Sequence, residues 1–516
     1  MTFDADFIII GSGPSGVSAA IPLVDAGRRV LMIDGSVTSS EAIDDGGRPR
    51  WQRMLGDRLE ALRPDDRYSP KLRTPVARGV VEPFQTWANF RTENFHALGS
   101  LARGGLSRIW GASVSELDDT DLQGWPIRLS ELERSYRAVS SRIGVSGSSD
   151  DDMAGFYGRS APILPAPPIG PTAATVLNNY RRRSPAADFS LGLARNALLT
   201  AQHAGRPGCS FALDCLWGCS RGAIYDARQD LAQLATSPHF RRLDGATALR
   251  LASASDGWNV VVAGREDPLR SRRVVLAAGA LGTARLVVPV LENAPASFSL
   301  INSPVLAIPM LIPQRLGAAA PDSGYTLAQL GFTCGYSPTP GDFVTGALYD
   351  VAGLPPSSLV VRMPFGRRAG TQLFRFLAPA LAIANVYFPG KYSANTMHAE
   401  RRCAELVISI RGGFSNEFSS LRGAVCRRLS RIWRHLGAYV LPGTALATPG
   451  HDAHLGGIFP MGDSKIYGTS AYGELNGAAG LHLVDGSILP TVSSKPMTLT
   501  IMANADRIAR HLAKSA

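Results

Sequence analysis

The first 35 residues show a hydrophobic pattern that predicts a strand, a helix and a second strand. Residues 7–10 are an apolar run of strand length, and this run stops at Gly11. Mostly small residues follow, and residues 25–27 carry the glycine expected at a helix end. Residues 29–33 form the next strand, which ends at Asp34. The chain therefore opens with the alternation typical of an α/β sheet.

Related patterns recur along the rest of the chain. Apolar residues at helical spacing predict helices at about 129–143, 419–436 and 498–512. Apolar runs predict strands at 246–254, 258–263, 274–278, 305–312, 326–334, 359–363, 405–411 and 481–484. Between 297 and 450 these runs are mixed with helical segments, which indicates a mostly antiparallel sheet with helices.

The composition is that of a globular protein. The 516 residues suffice for two to four domains, and 18% charged residues exclude a disordered or fibrous chain. The net charge of +11 comes mainly from scattered arginine groups, which we interpret as a solvated basic surface. Steering of an anionic substrate and attraction to an anionic membrane are the alternatives. No stripe combines basic with stacking aromatic residues, so no nucleic-acid partner is expected.

A membrane-spanning segment is not expected. The first strand begins near residue 6 and leaves no room for a signal peptide, so we interpret the protein as cytoplasmic. Residues 373–388 are the most apolar stretch, but an arginine and a proline interrupt them. They indicate a core helix or the wall of a substrate channel, while shallow, peripheral contact with a membrane stays open.

The turn after the first strand has the spacing of a dinucleotide-binding site. Gly11 permits a tight bend, Gly13 lets the backbone approach a pyrophosphate, and Gly16 lets the helix lie close to the strand. The helix then points its free N–H groups at the phosphates. Asp34 follows about 20 residues later, where a carboxylate accepts a hydrogen bond from a ribose hydroxyl.

Several separated motifs agree with one family. The chain resembles the glucose-methanol-choline (GMC) oxidoreductases, which are FAD-dependent enzymes that oxidise alcohols. The matching stretches are 11–16 (GSGPSG), 104–107 (GGLS) with Trp110-Gly111, 274–281 (VVLAAGAL), 454–462 (HLGGIFPMG), 483–490 (LVDGSILP) and 498–503 (TLTIMA). They span the chain from end to end.

The resemblance implies an α/β protein of two domains. A Rossmann-like FAD-binding domain would be built from the discontinuous segments 1–45, 80–125, 195–296 and 451–516. A substrate domain of mainly antiparallel sheet with helices would comprise 297–450, with contributions from 126–194. Residues 46–79 would form an excursion or lid.

The resemblance also assigns the cofactor site. Asp34 would hold the adenosine ribose, and Asp485 the ribityl or pyrophosphate region. The pyrophosphate would lie on Gly11, Gly13, Ser15 and Gly16, and the flavin along Gly104, Gly105 and Ser107. The same motifs add Pro14, Trp110, Ala278, Gly279, Gly486 and Thr498 to the cofactor-binding residues. Pyranose oxidases bond the flavin through a histidine just before this tryptophan; Ile109 occupies that position here, so FAD is expected to be held without a covalent link.

His454 heads the segment that carries the family's catalytic histidine, and His451 is its nearest competitor. Oxidation of an alcohol requires the hydroxyl proton to leave, and a side chain with a pKa near neutrality serves best as the base. The family's second His or Asn is missing, because residues 493–498 read SSKPMT. Lys495 falls near that position and is a candidate oxyanion stabiliser.

Cys209, Cys215 and Cys219 form a cluster in the sequence. It resembles the segment of bacterial sugar dehydrogenases that holds a three-iron cluster, and soft thiolates suit iron–sulfur chemistry. Gly208 stands where those enzymes have a further cysteine. Packed free thiols, a disulfide, an iron–sulfur cluster and a zinc site with His203 are all open interpretations.

The sequence thus predicts an FAD-dependent alcohol dehydrogenase or oxidase. The substrate is a small-molecule alcohol, on a sugar, glycoside or polyol, that gives its hydride to the flavin and its proton to His454. An apolar lipid or polyketide alcohol, a redox-neutral or lyase reaction, and a flavin-free binding protein are the alternatives. Oxygen, a quinone and a protein are equally open as the electron acceptor.

Overall fold

The computed structural model describes residues 3–35, 72, 74–183, 186–291, 295–339, 341–351, 360, 364–402, 405–462 and 467–515. Within these ranges the strands are β1 (Ala5–Ile10), β2 (Val30–Asp34), β3 (Arg91–Glu93), β4 (Ser146–Gly147), β5 (Leu164–Pro165), β6 (Phe189–Leu193), β7 (Phe240–Asp244), β8 (Ala248–Ala254), β9 (Gly257–Val262), β10 (Leu269–Leu276), β11 (Ser297–Asn302), β12 (Val305–Leu311), β13 (Leu330–Gly335), β14 (Phe343–Asp350), β15 (Leu381–Tyr387), β16 (Asn395–Arg402), β17 (Glu405–Arg411), β18 (Tyr439–Val440), β19 (Ala445–Leu446), β20 (Leu455–Gly456) and β21 (Leu481–Leu483). The α-helices are α1 (Pro14–Asp25), α2 (Pro75–Ala88), α3 (Leu129–Ile143), α4 (Ala154–Tyr157), α5 (Pro171–Arg183), α6 (Arg228–Leu234), α7 (Ala280–Val287), α8 (Arg367–Leu377), α9 (Phe418–His435) and α10 (Thr498–Lys514).

The first sheet collects strands from both ends of the chain. Its order is β7-β2-β1-β10-β9-β8, and β21 pairs with β10 beside β9. The neighbours β7, β2, β1, β10 and β21 are parallel, whereas β9 pairs antiparallel with both β8 and β10. Because β1 and β2 are buried on both faces, they read as continuous apolar runs.

Three helices pack together beside this sheet. α1 lies against α10, and α10 lies against α3. Ser18 in α1 accepts a hydrogen bond from Arg142 in α3, and Asp506 in α10 accepts one from Ser135 in α3. The C-terminal helix therefore belongs to the same core as the N-terminal strand.

The second large sheet is antiparallel and has the order β18-β12-β15-β14-β13-β6, with β19 also paired to β12. Buried and partly exposed residues alternate along its strands, because one face of the sheet packs on α5 and α9 and the other face is only partly covered. Trp433 of α9 lies at the centre of this second core, with ring centroids 5.1 Å from Phe332 and 5.7 Å from Phe189. A smaller sheet, β20-β11-β16-β17-β3, joins the first core.

Residues 126–194 divide between the two cores. α3 packs in the first core through Leu132, Tyr136 and Val139, whereas α5 and β6 contribute to the second. Most of the predicted helices and strands are present within a few residues of their predicted bounds. The predicted strand at 359–363, apart from residue 360, and most of the predicted excursion at 46–79 lie outside the described residues.

The apolar run at 373–388 is not one core helix. α8 ends at Leu377, and β15 begins at Leu381, so the prediction of a single helix there is wrong. Pro379 separates the two elements, since a proline interrupts the hydrogen-bond ladder of a helix. In the part of the chain that the structure describes, no helix combines the length and the apolar character needed to cross a membrane.

Candidate active site

One cavity of about 910 Å³ separates the parallel strands from the partly covered face of the antiparallel sheet. The ends of β1, β2, β10 and β21 reach it through Gly11, Asp34, Ala277 and Asp485. These strands are parallel, so their carboxyl ends meet at one edge, where ligands bind in α/β sheets. The opposite wall is formed by β12, β14 and β15. The volume lies in the range of cofactor and substrate pockets.

The first glycine turn has the close contacts that the motif predicts. Gly11 has a φ of +106°, and a Cβ added to it would lie 2.3 Å from the carbonyl oxygen of Ala277. A Cβ added to Gly16 would lie 2.0 Å from the carbonyl oxygen of Gly11, so Gly16 serves the packing of α1 and does not line the cavity. Gly13 does line the cavity, as do the neighbouring Pro14 and Ser15.

The second glycine segment packs onto the first. Gly105 lines the cavity, and a Cβ added to it would approach the Cα of Gly13 to 3.1 Å. Gly104 lies behind the cavity wall, where its N–H donates to Ser12 Oγ at 3.0 Å. Ser107 Oγ donates to the carbonyl oxygen of Gly104 at 2.6 Å and accepts from the Ala227 N–H at 3.0 Å. The Ser107 hydroxyl therefore holds this segment in place.

The indole of Trp110 is fixed on the cavity wall. Its Nε1–H donates to the carbonyl oxygen of Tyr225 at 2.8 Å, and the two rings meet edge to face at 6.1 Å. Ile109, at the position considered for a covalent flavin bond, also lines the cavity. An isoleucine offers no atom for such a bond.

Asp485 joins the end of β21 to neighbouring backbone. Its Oδ1 accepts from the Ser487 N–H at 3.0 Å, and its Oδ2 accepts from Thr283 Oγ1 at 2.5 Å. Burial raises the pKa of Asp485. Gly486 and Thr498, which follow in the chain, line the same part of the cavity. Asp34 is also buried and lines the cavity from the end of β2.

The residues present suit an anionic dinucleotide. Three helices begin at the cavity without a side-chain cap: α1 after Gly13, α7 after Gly279 and α10 after Met497. Uncapped N-termini offer backbone N–H groups and a positive dipole end to an anion. A Cβ added to Gly279 would meet no atom within 4 Å, so the adjacent wall is open to a bulky group. Ala278, next to it, lines the cavity as well.

His454 lies on the cavity wall, with 24% of its side chain exposed. Its Nδ1 is 3.6 Å from Oδ2 of Asp452, and within the described residues neither atom has a hydrogen-bond partner. The other carboxyl oxygen of Asp452, Oδ1, accepts from Asn302 Nδ2 at 3.3 Å. The Asp452 side chain is only 3% exposed.

The wall beside His454 is formed by β14 and β15. Tyr387 pairs in register with Thr345, and Tyr349 with Ile383, so the two tyrosines lie on the same face. The ring of Tyr387 is 5.9 Å from that of His454. Asn385, between these positions on β15, also lines the cavity. The run at 373–388 thus supplies a cavity wall, one of the two roles considered for it.

A second pair of histidines lies nearby. The rings of His96 and His451 meet edge to face with centroids 5.4 Å apart, and both line the cavity. Burial, and then the neighbouring His96, lower the pKa of His451 to about 4. Burial alone lowers the pKa of His454 to about 4 and is the main cause that raises the pKa of Asp452 to about 7. Both His451 and His454 are therefore neutral proton acceptors at neutral pH.

Lys495 does not line the cavity, so the structure gives no support to its candidate role as an oxyanion stabiliser. Its side chain is 1% exposed, and its Nζ is 2.7 Å from Oδ2 of both Asp118 and Asp121. The adjacent residues Ser494 and Pro496 line the cavity instead. The ammonium bridges the two carboxylates and so holds the loop in place.

The cysteine cluster gives no support to an iron–sulfur or zinc site. Cys209, Cys215 and Cys219 are free thiols, and among the described residues no three His, Cys, Asp or Glu side chains are arranged to hold a metal ion. Burial raises the pKa of Cys209 and raises that of Cys215 to about 11. His203 bonds the carbonyl oxygen of Ser141 through Nε2 at 2.6 Å. All three cysteines pack against the first core.

Several wall residues were not predicted from the sequence. Asp452 is two residues before His454, and the acidic residue in the HDAH segment was a signal that could have identified it. The other wall residues lie far away in the chain, and nothing local marks them: Tyr349, Asn385, Tyr387 and His96. Asn302, which does not line the cavity but bonds Asp452, was not predicted either. The pairing of β14 with β15 brings the two tyrosines and Asn385 to the wall beside His454.

Two curated proteins are similar in sequence to part of this chain. Paromamine 6'-oxidase of Streptomyces fradiae is 32% identical over 258 residues, which cover 48% of this chain and 41% of that protein. 6'''-Hydroxyparomomycin C oxidase of Streptomyces lividus is 27% identical over 293 residues, covering 55% of this chain and 49% of that protein. The chain thus matches less than half the length of each relative. No family model matches the chain.

Solved structures are similar over nearly the whole chain. Pyridoxine 4-oxidase from Mesorbium loti is 15% identical, with a TM-score of 0.63 over 98% of this chain and 99% of that one. An FAD-dependent oxidoreductase from Chaetomium thermophilum is 14% identical, with a TM-score of 0.61 over 99% of both chains. At these identities the likeness shows the fold. The comparisons confirm the predicted α/β fold class.

Proposed function

We propose that this chain, with the fold of the FAD-dependent GMC oxidoreductases, binds FAD without a covalent link and oxidises an alcohol group of a sugar, glycoside or polyol. One observation carries the proposal. A single cavity joins the glycine turn at Gly11 to the imidazole of His454, although the two residues are 443 positions apart. The site therefore offers a cofactor cradle and a base within one enclosure.

The cradle accounts for the cofactor. The N-termini of α1, α7 and α10 would face the pyrophosphate and the flavin, while Asp34 would accept from the ribose. Bound FAD supplies the acceptor for the hydride that leaves the alcohol carbon. The chain's own residues position the alcohol and take its proton.

His454 is the proposed base. Burial keeps its imidazole neutral at physiological pH, and a neutral imidazole accepts the hydroxyl proton as the C–H bond breaks. Tyr387 and Asn385 lie on the adjacent strand and would orient the substrate hydroxyls. The missing second His or Asn of the family would be replaced by groups on β14 and β15.

The charges of the cavity support a neutral or amine-bearing substrate. Among the described residues that line it, none is lysine or arginine, although the whole chain has a net charge of +11. Asp350 and Asp452 lie on the substrate side of the wall. Carboxylates, tyrosine hydroxyls and an amide suit hydroxyl and amino groups, whereas a phosphate or carboxylate substrate would find no cationic side chain.

The curated relatives support the same class. Both carry names of oxidases that act on paromamine or a paromomycin derivative, and we infer a glycoside alcohol as the substrate of this chain. Because both are named oxidases, molecular oxygen is the proposed electron acceptor. On the sequence alone, we also propose a cytoplasmic location.

The test is an anaerobic titration of the purified holoprotein followed by its visible spectrum. We expect a flavin spectrum that bleaches on addition of an amino glycoside and recovers with air, with peroxide as the product. A simple apolar alcohol should leave the flavin oxidised. A protein that cannot be reconstituted with FAD, or whose flavin no alcohol reduces, would contradict the proposal.

A further inference from the structure

Two buried polar atoms, Oδ2 of Asp452 and Nδ1 of His454, face one another. Oδ2 of Asp452 and Nδ1 of His454 are 3.6 Å apart, and within the described residues each lacks a hydrogen-bond partner. Buried polar atoms are nearly always paired in folded proteins. A shift of a few tenths of an ångström would make the two atoms each other's partner.

The carboxyl is held in this orientation by Asn302. Asn302 Nδ2 donates to Asp452 Oδ1 at 3.3 Å and to the carbonyl oxygen of Ser303 at 3.1 Å. Asn302 Oδ1 in turn accepts from Asn395 Nδ2 at 2.8 Å. With one oxygen fixed by this buried network, the remaining oxygen points to the imidazole.

The backbone between the two residues is also unusual. Ala453 has a φ of +58°, in the left-handed region that non-glycine residues rarely adopt. Such a conformation persists only where the surroundings impose it, and it is frequent at functional sites. Here it turns the chain so that side chains two residues apart meet.

We propose that Asp452 is a positioning residue for His454: its Oδ2 accepts a hydrogen bond from Nδ1–H and leaves Nε2 as the proton acceptor toward the cavity. This inference rests on the proposed function. The alcohol O–H proton would move to Nε2 while the C–H hydrogen leaves with its electron pair, for which bound FAD would supply the acceptor. His454 becomes an imidazolium, and the carboxylate of Asp452 balances its charge.

Protonation of the carboxyl reverses this arrangement. A neutral Asp452 donates to Nδ1, so the proton of the imidazole lies on Nε2 and His454 cannot act as the base. The carboxyl ionises near pH 7, because burial raises its pKa. The other titratable groups around the pair are Tyr387, Tyr349, His451 and His96. Burial raises the pKa values of both tyrosines, and the pKa of His451 is lowered to about 4. Tyr387, Tyr349 and His451 therefore do not titrate near pH 7.

The first test compares the wild-type holoprotein with Asp452→Asn and Asp452→Glu. Wild-type flavin reduction by a saturating amino glycoside should rise with pH through about 7. Asp452→Asn should reduce the rate constant roughly 10- to 100-fold and abolish the pH-dependent rise, with the substrate dissociation constant changed less than about threefold. Asp452→Glu should restore the rise.

A second readout does not depend on activity. In ¹⁵N-histidine NMR spectra above pH 8, His454 of the wild type should show the Nδ1–H tautomer, and Asp452→Asn should show a larger share of Nε2–H. If Asp452→Asn does not fold, Asn302→Ala should shift the tautomer in the same direction, since it releases the carboxyl. His454→Gln identifies the resonance.

The outcomes separate the two proposals. A wild-type flavin that no alcohol reduces overturns the proposed function. If the wild-type flavin is reduced, and Asp452→Asn has the same rate, pH profile and His454 tautomer as the wild type, the positioning role is overturned. The proposed function then still holds.

Discussion

Thr283 Oγ1 donates a 2.5 Å hydrogen bond to Oδ2 of Asp485, and this bond joins the first turns of α7 to the end of β21. The two residues are 202 positions apart, and both are almost completely buried. Asp485 lines the cavity where the last segment of the chain returns to the first sheet, and this bond fixes its side chain there. The proposed cofactor cradle therefore depends on a contact between distant parts of the chain.

Thr283→Val tests this contact. Valine has the shape of threonine but no hydroxyl, so Asp485 Oδ2 would lose a donor in a buried position. We expect a loss of about 1–3 kcal/mol in the free energy of unfolding, together with faster flavin release. Urea denaturation and flavin fluorescence measure the two effects. Thr283→Ser keeps the hydroxyl and is the control, and equal stability of Val and Ser variants would contradict the prediction.

His454→Ala should keep the flavin and lose its reduction. The imidazole lies on the wall and packs near Tyr387, so its removal leaves the glycine turn untouched. We expect the rate constant for anaerobic reduction to fall about 10²- to 10⁴-fold, because general bases contribute factors of this size. Stopped-flow absorbance of the flavin measures it.

His451→Ala is the matched comparison for that experiment. It removes the competing histidine from the same cavity but leaves the Asp452–His454 pair in place. We expect a change of less than about tenfold in reduction, well below the range for a general base. A larger loss in His451→Ala than in His454→Ala would exchange the two assignments.

The half-buried His451 should make the protein less stable in acid. Burial and His96 lower its pKa to about 4, whereas an unfolded histidine titrates near 6.5. As the pH falls, the unfolded chain binds the proton first, so the stability from neutral His451 is present above pH 6.5 and is lost toward pH 4. Between pH 7 and pH 5 the wild type should lose about 2 kcal/mol more than His451→Asn does.

Denaturation curves at both pH values provide this comparison. Asparagine does not titrate, so the loss of stability in His451→Asn contains the contributions of all other groups and none from residue 451. Subtracting it from the wild-type loss leaves the contribution of His451. Parallel losses in the wild type and the variant would show that His451 is exposed to water in solution.

Lys495→Met should reduce stability and spare the chemistry. Its ammonium is bonded to Asp118 and Asp121, and removal leaves the buried Asp121 carboxylate without its cation. We expect a loss of about 3–5 kcal/mol in the free energy of unfolding. Flavin reduction in the folded variant should stay within about threefold of the wild type, since general acid and base groups contribute far larger factors. Asp118→Asn, at the exposed end of the pair, is the control with a small effect.

A large fall in the rate constant of flavin reduction in Lys495→Met, with unchanged stability, would indicate that Lys495 takes part in the reaction. Thermal melts give the temperature range in which Lys495→Met stays folded, and flavin reduction is measured within that range. The comparison thus distinguishes a structural ammonium from one that contacts substrate.

The sequence by itself determined the cofactor end of the cavity. The run from residue 7 to Gly11, the spacing of Gly11, Gly13 and Gly16, and the glycine after β10 are local patterns whose geometry follows from sterics. His454 was predicted through the resemblance of its segment to a known family. Confirmed strands such as β8 and β9 likewise follow from alternation and a turn between them.

Only the tertiary structure decided what surrounds His454 and what Lys495 does. Asn302 reaches Asp452 across 150 positions, and Tyr387 reaches the imidazole through the register of β14 and β15. Lys495 forms ion pairs with two carboxylates that lie 377 and 374 positions earlier in the chain. Periodicity reports which face of an element is buried, but the partner of a buried polar group depends on how distant elements pack.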